Sequence, residues 1–449
     1  MTRRQSRLAP LIAAFGLILM PAVVRSQAVP ELKPPTEAQS TARARYRADR
    51  FGLFVHWGVY SQLADGEWVL NNHKIQTADY EPLAGTWCPD AFNAKDWVDL
   101  ARSAGMKYIT VTAKHHDGFC LFDSKQTDWD VVDRTPGGRD IIKELAAECQ
   151  LQGIKLFLYY SHLDWHHPDY FPRGLTGRNT GRAEAGDWNH YLDYLDAQLT
   201  ELLTGYGPIA GIWFDGWWDK PAADWRLDRT YALIHRLQPG ALVGNNHHRK
   251  PFPGEDIQMF EKDLPGRNDS GLNADNAVGT LPLESCETIN RAWGYNSSDQ
   301  TFKSPKQLIQ SLVRAAGADA NFLLNVGPRP DGTIQPQAVE RLKAVGAWLN
   351  THGESIYGTR SGPTTAAAWG VSTADPIRRR VYLHLLDRES LGDELSIAGF
   401  QGKVASIHTW DKAPVAHQIL GDRLILSLKG IKADPIDTIL VLELAADAD

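Results

Sequence analysis

A chain of 449 residues, 43% hydrophobic and 22% charged, is longer than one small core requires, so a large domain with a smaller companion is expected. Its formal net charge of −7 leaves no basic footprint, which argues against nucleic acid and anionic membranes and points to neutral partners.

The N-terminus reads as an address. Arg3, Arg4 and Arg7 precede an apolar run over residues 8–24 that Pro10 and Pro21 interrupt, and Ser26-Gln27-Ala28 fits a small-x-small cleavage site. The run is short and proline-broken for a span of about twenty residues, so residues 1–28 are expected to be a cleaved secretory signal, with an uncleaved anchor as the weaker reading. That places the mature chain in the periplasm or the medium, with no membrane span. Residues 29–43 are proline-rich and polar, a linker or an N-terminal arm. Cys88, Cys120, Cys149 and Cys286 are scattered without CxxC or metal-ligand spacing, and no pairing can be assigned to them.

Strand-like and helix-like segments then alternate. An apolar run at 51–56 precedes a helix over 93–104, where Trp97, Leu100, Ala101 and Ala104 recur at core spacing before Gly105. A strand at 108–112 leads to a helix capped by Asp140, and a strand at 156–160 to a long helix at 188–203. The next strand ends at Asp215; further strands are expected at 241–244, 257–260 and 322–326, with helices at 230–237, 305–316 and 337–349. This alternation implies a parallel sheet, most simply a (β/α)8-like barrel over residues 44–358. A doubly wound sheet is the alternative, but the glycine-rich nucleotide turn expected after its first strand does not occur. Beyond Tyr357 the segments at 380–386, 404–410, 424–428 and 438–444 are short and β-rich, which predicts a C-terminal all-β sandwich over 359–449.

The expected strands end in polar and aromatic residues: His56-Trp57-Gly58, Lys114-His115-His116-Asp117, Tyr159-Tyr160-Ser161 and Trp213-Phe214-Asp215. In a barrel these ends share one mouth, so four of them in succession predict a pocket. A carboxylate among indoles suits sugar cleavage, because aromatic faces stack on pyranose rings while the carboxylate meets the anomeric carbon. The plain alternative is an Asp-Gly turn. The pairs His115-His116 and His166-His167 suggest metal binding. Adjacent strand residues point to opposite faces unless a bulge re-aims one, however, and neither HxH nor HExxH spacing is present, so imidazoles bonding hydroxyls are the preferred reading. A glycosidase needs a second carboxyl, and Glu255, Asp256, Glu261, Asp263, Glu284 and Glu287 follow Asp215. Glu261 ends the 257–260 run and Glu284 follows Leu281-Pro282-Leu283; spacing alone does not separate them.

The chain resembles the retaining α-L-fucosidases of glycoside hydrolase family 29. The resemblance rests on Arg50-Phe51-Gly52-Leu53-Phe54-Val55-His56-Trp57-Gly58-Val59-Tyr60, Gly66-Glu67-Trp68, Lys114-His115-His116-Asp117-Gly118-Phe119 and Trp213-Phe214-Asp215-Gly216. Trp293-Gly294-Tyr295-Asn296, Asn321-Phe322-Leu323-Leu324-Asn325-Val326-Gly327-Pro328 with Asp331-Gly332, and Gly353-Glu354-Ser355-Ile356-Tyr357-Gly358 follow in family order. It implies a (β/α)8-like barrel, Asp215 as nucleophile and, on Phe260-Glu261-Lys262-Asp263-Leu264-Pro265, Glu261 as general acid/base; Glu284 stays the alternative acid/base from the reading of the residues. It further implies that His56, Glu67, Trp68, His115, His116, Tyr159 and Trp213 bind fucose or wall its pocket, and that Trp293 packs on the sugar's methyl group. Many members carry an arginine after the fifth strand, where this chain has Asn245-Asn246-His247-His248; His247 is the expected replacement and substrate contact. The implied substrates are fucosylated oligosaccharides or glycoconjugates, with no metal or organic cofactor. A non-catalytic fucose- or glycan-binding protein and a metal-dependent barrel hydrolase are the alternatives.

Overall fold

A computed structural model describes residues 34–445 except Ala183 and Gln401, so the expected signal segment lies outside the described residues. The segment expected to be a linker up to Arg43 is in part helical: a helix spans Glu37–Asp49. Its signal is a capping box, in which Thr36 accepts from the Gln39 amide and the Gln39 side chain accepts from that of Thr36. The helix carries Tyr46 into the lower end of the barrel and ties Arg43 to buried Asp256 at 2.7 Å.

The barrel strands are β1 (Phe51–Val55), β2 (Tyr108–Lys114), β3 (Lys155–Ser161), β4 (Gly211–Asp215), β5 (Leu242–Asn245), β6 (Gln258–Glu261), β7 (Leu283–Thr288) and β8 (Ala320–Val326). They form one parallel sheet in the order β5-β4-β3-β2-β1-β8-β7-β6. Phe51, Leu53, Ile109, Val111, Leu158 and Ile212 are buried, as expected of strands covered on both faces. Between β5 and β6 the ladder narrows to a single bridge, Gly244 to Ile257, supported by the Asp256 amide donating to the Val243 carbonyl at 2.7 Å. The barrel is therefore nearly closed, with a seam at that place.

Helices Ala94–Ser103, Ile141–Gln152, Trp188–Gly205, Leu227–Leu237, Pro305–Gly317 and Pro336–His352 fall close to their predicted places. Asn93, Asp140, Asp187 and Ser304 cap four of them through side-chain oxygens. Among the described residues no helix follows β5 or β6, which makes the barrel irregular on the seam side. Strand β7 escapes sequence reading because Glu284, Ser285 and Glu287 break its apolar run.

The C-terminal region holds β9 (Arg360–Ser361), β10 (Gly370–Asp375), β11 (Arg380–Leu385), β12 (Glu394–Ile397), β13 (Val404–Thr409), β14 (His417–Leu420), β15 (Arg423–Ser427) and β16 (Thr438–Leu444). They make a five-stranded antiparallel sheet, β13-β16-β11-β10-β9, and a three-stranded one, β12-β15-β14. Their shared core of Trp369, Leu383, Leu385, Leu424, Leu426, Leu440 and Leu442 is separate from that of the barrel. Gln310, on helix Pro305–Gly317, reaches across to donate to the carbonyls of Leu386 and Ile436 at 2.7 and 2.8 Å. Leu440 is fully buried at the centre of this core. Leu440→Ala should therefore cost about 2–5 kcal/mol, read as a lowered thermal unfolding transition, with activity unaffected below that transition.

Candidate active site

A cavity of about 430 Å³ opens at the C-terminal ends of the strands. Its walls include Phe54 and His56 from β1 and the turn after it, Glu67 and Trp68 from the following loop, and His115 and His116 after β2. Tyr159 comes from β3, Trp213 and Asp215 from β4, Glu261 from the end of β6, and Trp293 from the loop after β7.

Asp215 is held by three donors. The amide of Gly216 and the indole N–H of Trp218 reach Oδ1 at 2.8 and 3.0 Å, and the Tyr159 hydroxyl reaches Oδ2 at 3.0 Å. Gly216 turns the chain with φ 85°, where a Cβ would lie 2.6 Å from that of Leu163; only glycine suits this turn. Burial, and next the neighbouring Glu261 carboxylate, push the Asp215 pKa up to about 7 against those hydrogen bonds. Glu261 Oε2 accepts from Asn246 Nδ2 at 2.8 Å and lies 3.7 Å from His248 Nε2.

The imidazoles are buried and neutral. His56 Nδ1 faces the Asn325 side-chain oxygen at 2.7 Å, while the Asn325 amide donates to the Trp293 carbonyl. His56 Nδ1 is therefore the protonated nitrogen and Nε2 an acceptor; burial takes its pKa down to about 3. Ser161 Oγ donates to the Leu163 carbonyl at 2.5 Å, so it accepts from His116 Nδ1 at 2.7 Å. His116 Nε2 is thus unprotonated, 3.7 Å from Asp215 Oδ2, and burial lowers this imidazole also to about 3. Both His115 and His116 line the cavity because β2 shifts register against β3 between Thr112 and Lys114, which re-aims one of them. Glu67, whose pKa burial raises, accepts from the Gly294 amide at 2.7 Å. Trp213 stacks on Tyr159 with ring centres 5.4 Å apart, and Trp68 stacks on Trp218 at 5.8 Å.

Three expectations change. His247 is not among the cavity residues: it is buried with Nε2 3.1 Å from Glu255 and packs on Phe252, while His248, at φ 60°, is the histidine that lines the cavity. Glu284 is not at a strand end but second in β7, one layer beneath the cavity, where Tyr108 and the Trp213 indole donate to it at 2.8 Å and Tyr46 also bonds to it. It thus anchors the floor from below instead of competing with Glu261. His166 and His167 lie away from the cavity: His166 stacks on Trp129 and His167 packs on Tyr194, their turn fixed by Asp164, which pairs with Lys114 at 3.2 Å. Among the described residues no cluster of three His, Cys, Asp or Glu side chains is placed to hold a metal ion. Sequence reasoning missed Asn246, His248, Trp218, Leu175 and Leu272; Trp218 carried a signal in the run of tryptophans after Asp215, and Asn246 and His248 one in the segment that replaces the arginine of many members.

The family model described as alpha-L-fucosidase matches residues 19–354. The chain belongs to the α-L-fucosidase family. The tissue alpha-L-fucosidase of Rattus norvegicus is 30% identical over 339 residues, 69% of this chain and 69% of the relative, and that of Homo sapiens is 28% identical over 396 residues, covering 80% and 79%. Alpha-L-fucosidase isoenzyme 1 from Paenibacillus thiaminolyticus superposes with a TM-score of 0.80 at 34% identity, covering 91% of this chain and 100% of that one. A GH29 alpha-L-fucosidase from Bacteroides thetaiotaomicron, solved as a trapped covalent intermediate in complex with 2-fluoro-fucosyl fluoride, does so at 0.78 and 26% identity, covering 90% and 96%. This chain is a retaining α-L-fucosidase acting on fucosylated glycans on a barrel followed by antiparallel sheets.

The raised Asp215 pKa has a consequence for folding. Between the ordinary carboxylate value of 3.8 and about 7 the native fucosidase holds a proton that the unfolded chain has released, so stability falls as pH rises through that window. Asp215→Asn removes the ionisation. It should be more stable than the parent by about 1–3 kcal/mol above pH 7, with the gain vanishing towards pH 4, as read from thermal unfolding midpoints across that range.

Proposed function

We propose that Asp215 is the nucleophile and Glu261 the general acid/base of this fucosidase, releasing L-fucose from the non-reducing ends of fucosylated oligosaccharides or glycoconjugates. The observation that carries the reading is the meeting of the two carboxyls in one cavity, each on its own strand end and each with its own polar anchors. Asp215, in its ionised form, attacks the anomeric carbon as Glu261 in its acid form gives its proton to the departing oxygen. The bond from the anomeric carbon to that oxygen breaks, the leaving group departs with the proton, and a fucosyl ester of Asp215 remains. Glu261, now a carboxylate, takes a proton from water, whose oxygen displaces Asp215 and restores the original configuration.

The remaining walls suit the sugar. His56, with an accepting Nε2, together with Glu67, His115 and His116, presents polar atoms for hydroxyls, while Trp68, Trp213 and Trp293 offer ring faces and edges to its carbon side. Tyr159 bonds the nucleophile and so fixes its rotamer during attack. We assign residues 1–28 to an export signal on their basic-apolar-small pattern, making the enzyme secreted or periplasmic. Among the described residues no helix is long and apolar enough to cross a membrane.

Hydrolysis of 4-nitrophenyl α-L-fucoside tests the reading. Asp215→Asn should lose about a thousandfold or more in kcat, whereas parental turnover should persist in EDTA. Glu261→Gln should lose much more on natural glycans than on 4-nitrophenyl fucoside, whose leaving group needs little protonation. Near-parental turnover by Asp215→Asn, or an inverted product anomer by NMR, would overturn the assignment. Because burial and the Glu261 carboxylate push the Asp215 pKa up to about 7, kcat/KM should rise with pH up to about that value, as the attacking carboxylate ionises.

A further inference from the structure

Most residues lining the cavity are buried or half-buried; the exposed ones are both leucines, Leu175 at 61% and Leu272 at 39%. A single exposed leucine on a protein surface needs no explanation. These two come from different loops, after β3 and after β6, line one mouth, and sit on loops fixed by buried carboxylates. Asp219 accepts from the Thr176 amide and hydroxyl at 2.7 Å, and its carbonyl accepts from the Leu175 amide at 3.0 Å. Asp263 accepts from the amides of Asp269 and Ser270, from the Ser270 hydroxyl at 2.6 Å and from the Asn273 side chain at 2.7 Å.

The loop after β6 is also bound to the acid/base. Asn273, next to Leu272, donates to the Glu261 carbonyl at 2.9 Å and accepts from the Glu261 amide at 3.3 Å. Glu261 must meet the oxygen joining fucose to its leaving group, so the exposed side chain beside it, at the mouth, borders the leaving group and not fucose. We propose that Leu272, with Leu175 as the other apolar edge, forms a rim that packs against the first ring of the leaving group. The substrates this enzyme favours are accordingly α-L-fucosides whose leaving group presents an apolar ring face, from an aryl group or the CH face of a sugar. The inference rests on the assignment of Glu261 above and specifies the substrate class of that same site.

The test compares leaving groups of different extent. α-L-Fucosyl fluoride loses a single atom that reaches no rim; 4-nitrophenyl α-L-fucoside carries an aryl ring, and fucosyl-N-acetylglucosamine a sugar ring. Leu272→Ser should lower kcat/KM about fivefold to tenfold on a ring-bearing substrate, chiefly through KM, and leave fluoride hydrolysis unchanged. Leu272→Met should restore most of the loss, and Leu175→Ser should act in the same sense. A loss confined to the aryl fucoside identifies an aryl platform, and one on the disaccharide a sugar platform. Equal effects on fluoride and ring-bearing substrates, or no effect on either, overturn the rim. Parental turnover of fucosyl-N-acetylglucosamine by Glu261→Gln would instead sink the catalytic assignment beneath it.

Discussion

The structure turns on keeping a carboxylate ready to ionise where little water reaches it. Asp215 is 14% exposed, and three donors from Gly216, Trp218 and Tyr159 replace the solvent it has lost. Each donor imposes something further: the glycine dictates a left-handed turn, the indole holds the rim of tryptophans, and the tyrosine rests on Trp213. Trp213 in turn is tied downward to Glu284, which the tyrosines Tyr46 and Tyr108 satisfy from beneath. The setting of Asp215 therefore extends through two layers of the barrel to the N-terminal helix. An unpaired group anywhere along that column would leave a buried polar atom without compensation.

Much of this is legible in the sequence. Parallel strands buried on both faces read as apolar runs, and the chemistry at their ends stood out because polar residues interrupt those runs at one place each, as His56, His115 and Asp215 do. One helix declared itself through its cap, Asp140, and another through the core spacing of Trp97, Leu100, Ala101 and Ala104. Where the reading failed, local geometry had broken the period on which it relied. Glu284 follows the apolar Leu281-Pro282-Leu283 but is second in its strand, because β7 begins at Leu283 and continues through polar residues to Thr288. His247 and His248 are adjacent beyond the last residue of β5, and a positive φ at His248 decides which one faces the cavity. Nothing in alternation could announce that.

The capping box at Thr36 is a different kind of omission. Its Thr-x-x-Gln pattern was present in the sequence, but the proline-rich stretch before it suggested a linker. Leu175 and Leu272 illustrate the limit from the other side. Their loops have no regular structure, and the carboxylates that pin them, Asp219 and Asp263, are ordinary-looking surface residues until the fold turns them inward.

The seam between β5 and β6 has an implication for how such enzymes diversify. Asp215 stands on β4, laddered to β3 and β5, whereas Glu261 stands on β6, laddered to β7 on one side but joined to β5 on the other by one bridge. The distance between two catalytic carboxyls decides whether a water fits between them, and hence the stereochemical course of the reaction. In this barrel that distance spans the one junction that lacks a ladder of hydrogen bonds to fix it. Substitutions in the helix-free connections on either side can therefore retune the spacing without disturbing the wall that carries Asp215. Placement of Glu261 becomes the evolvable coordinate of the fold, and placement of Asp215 the inherited one.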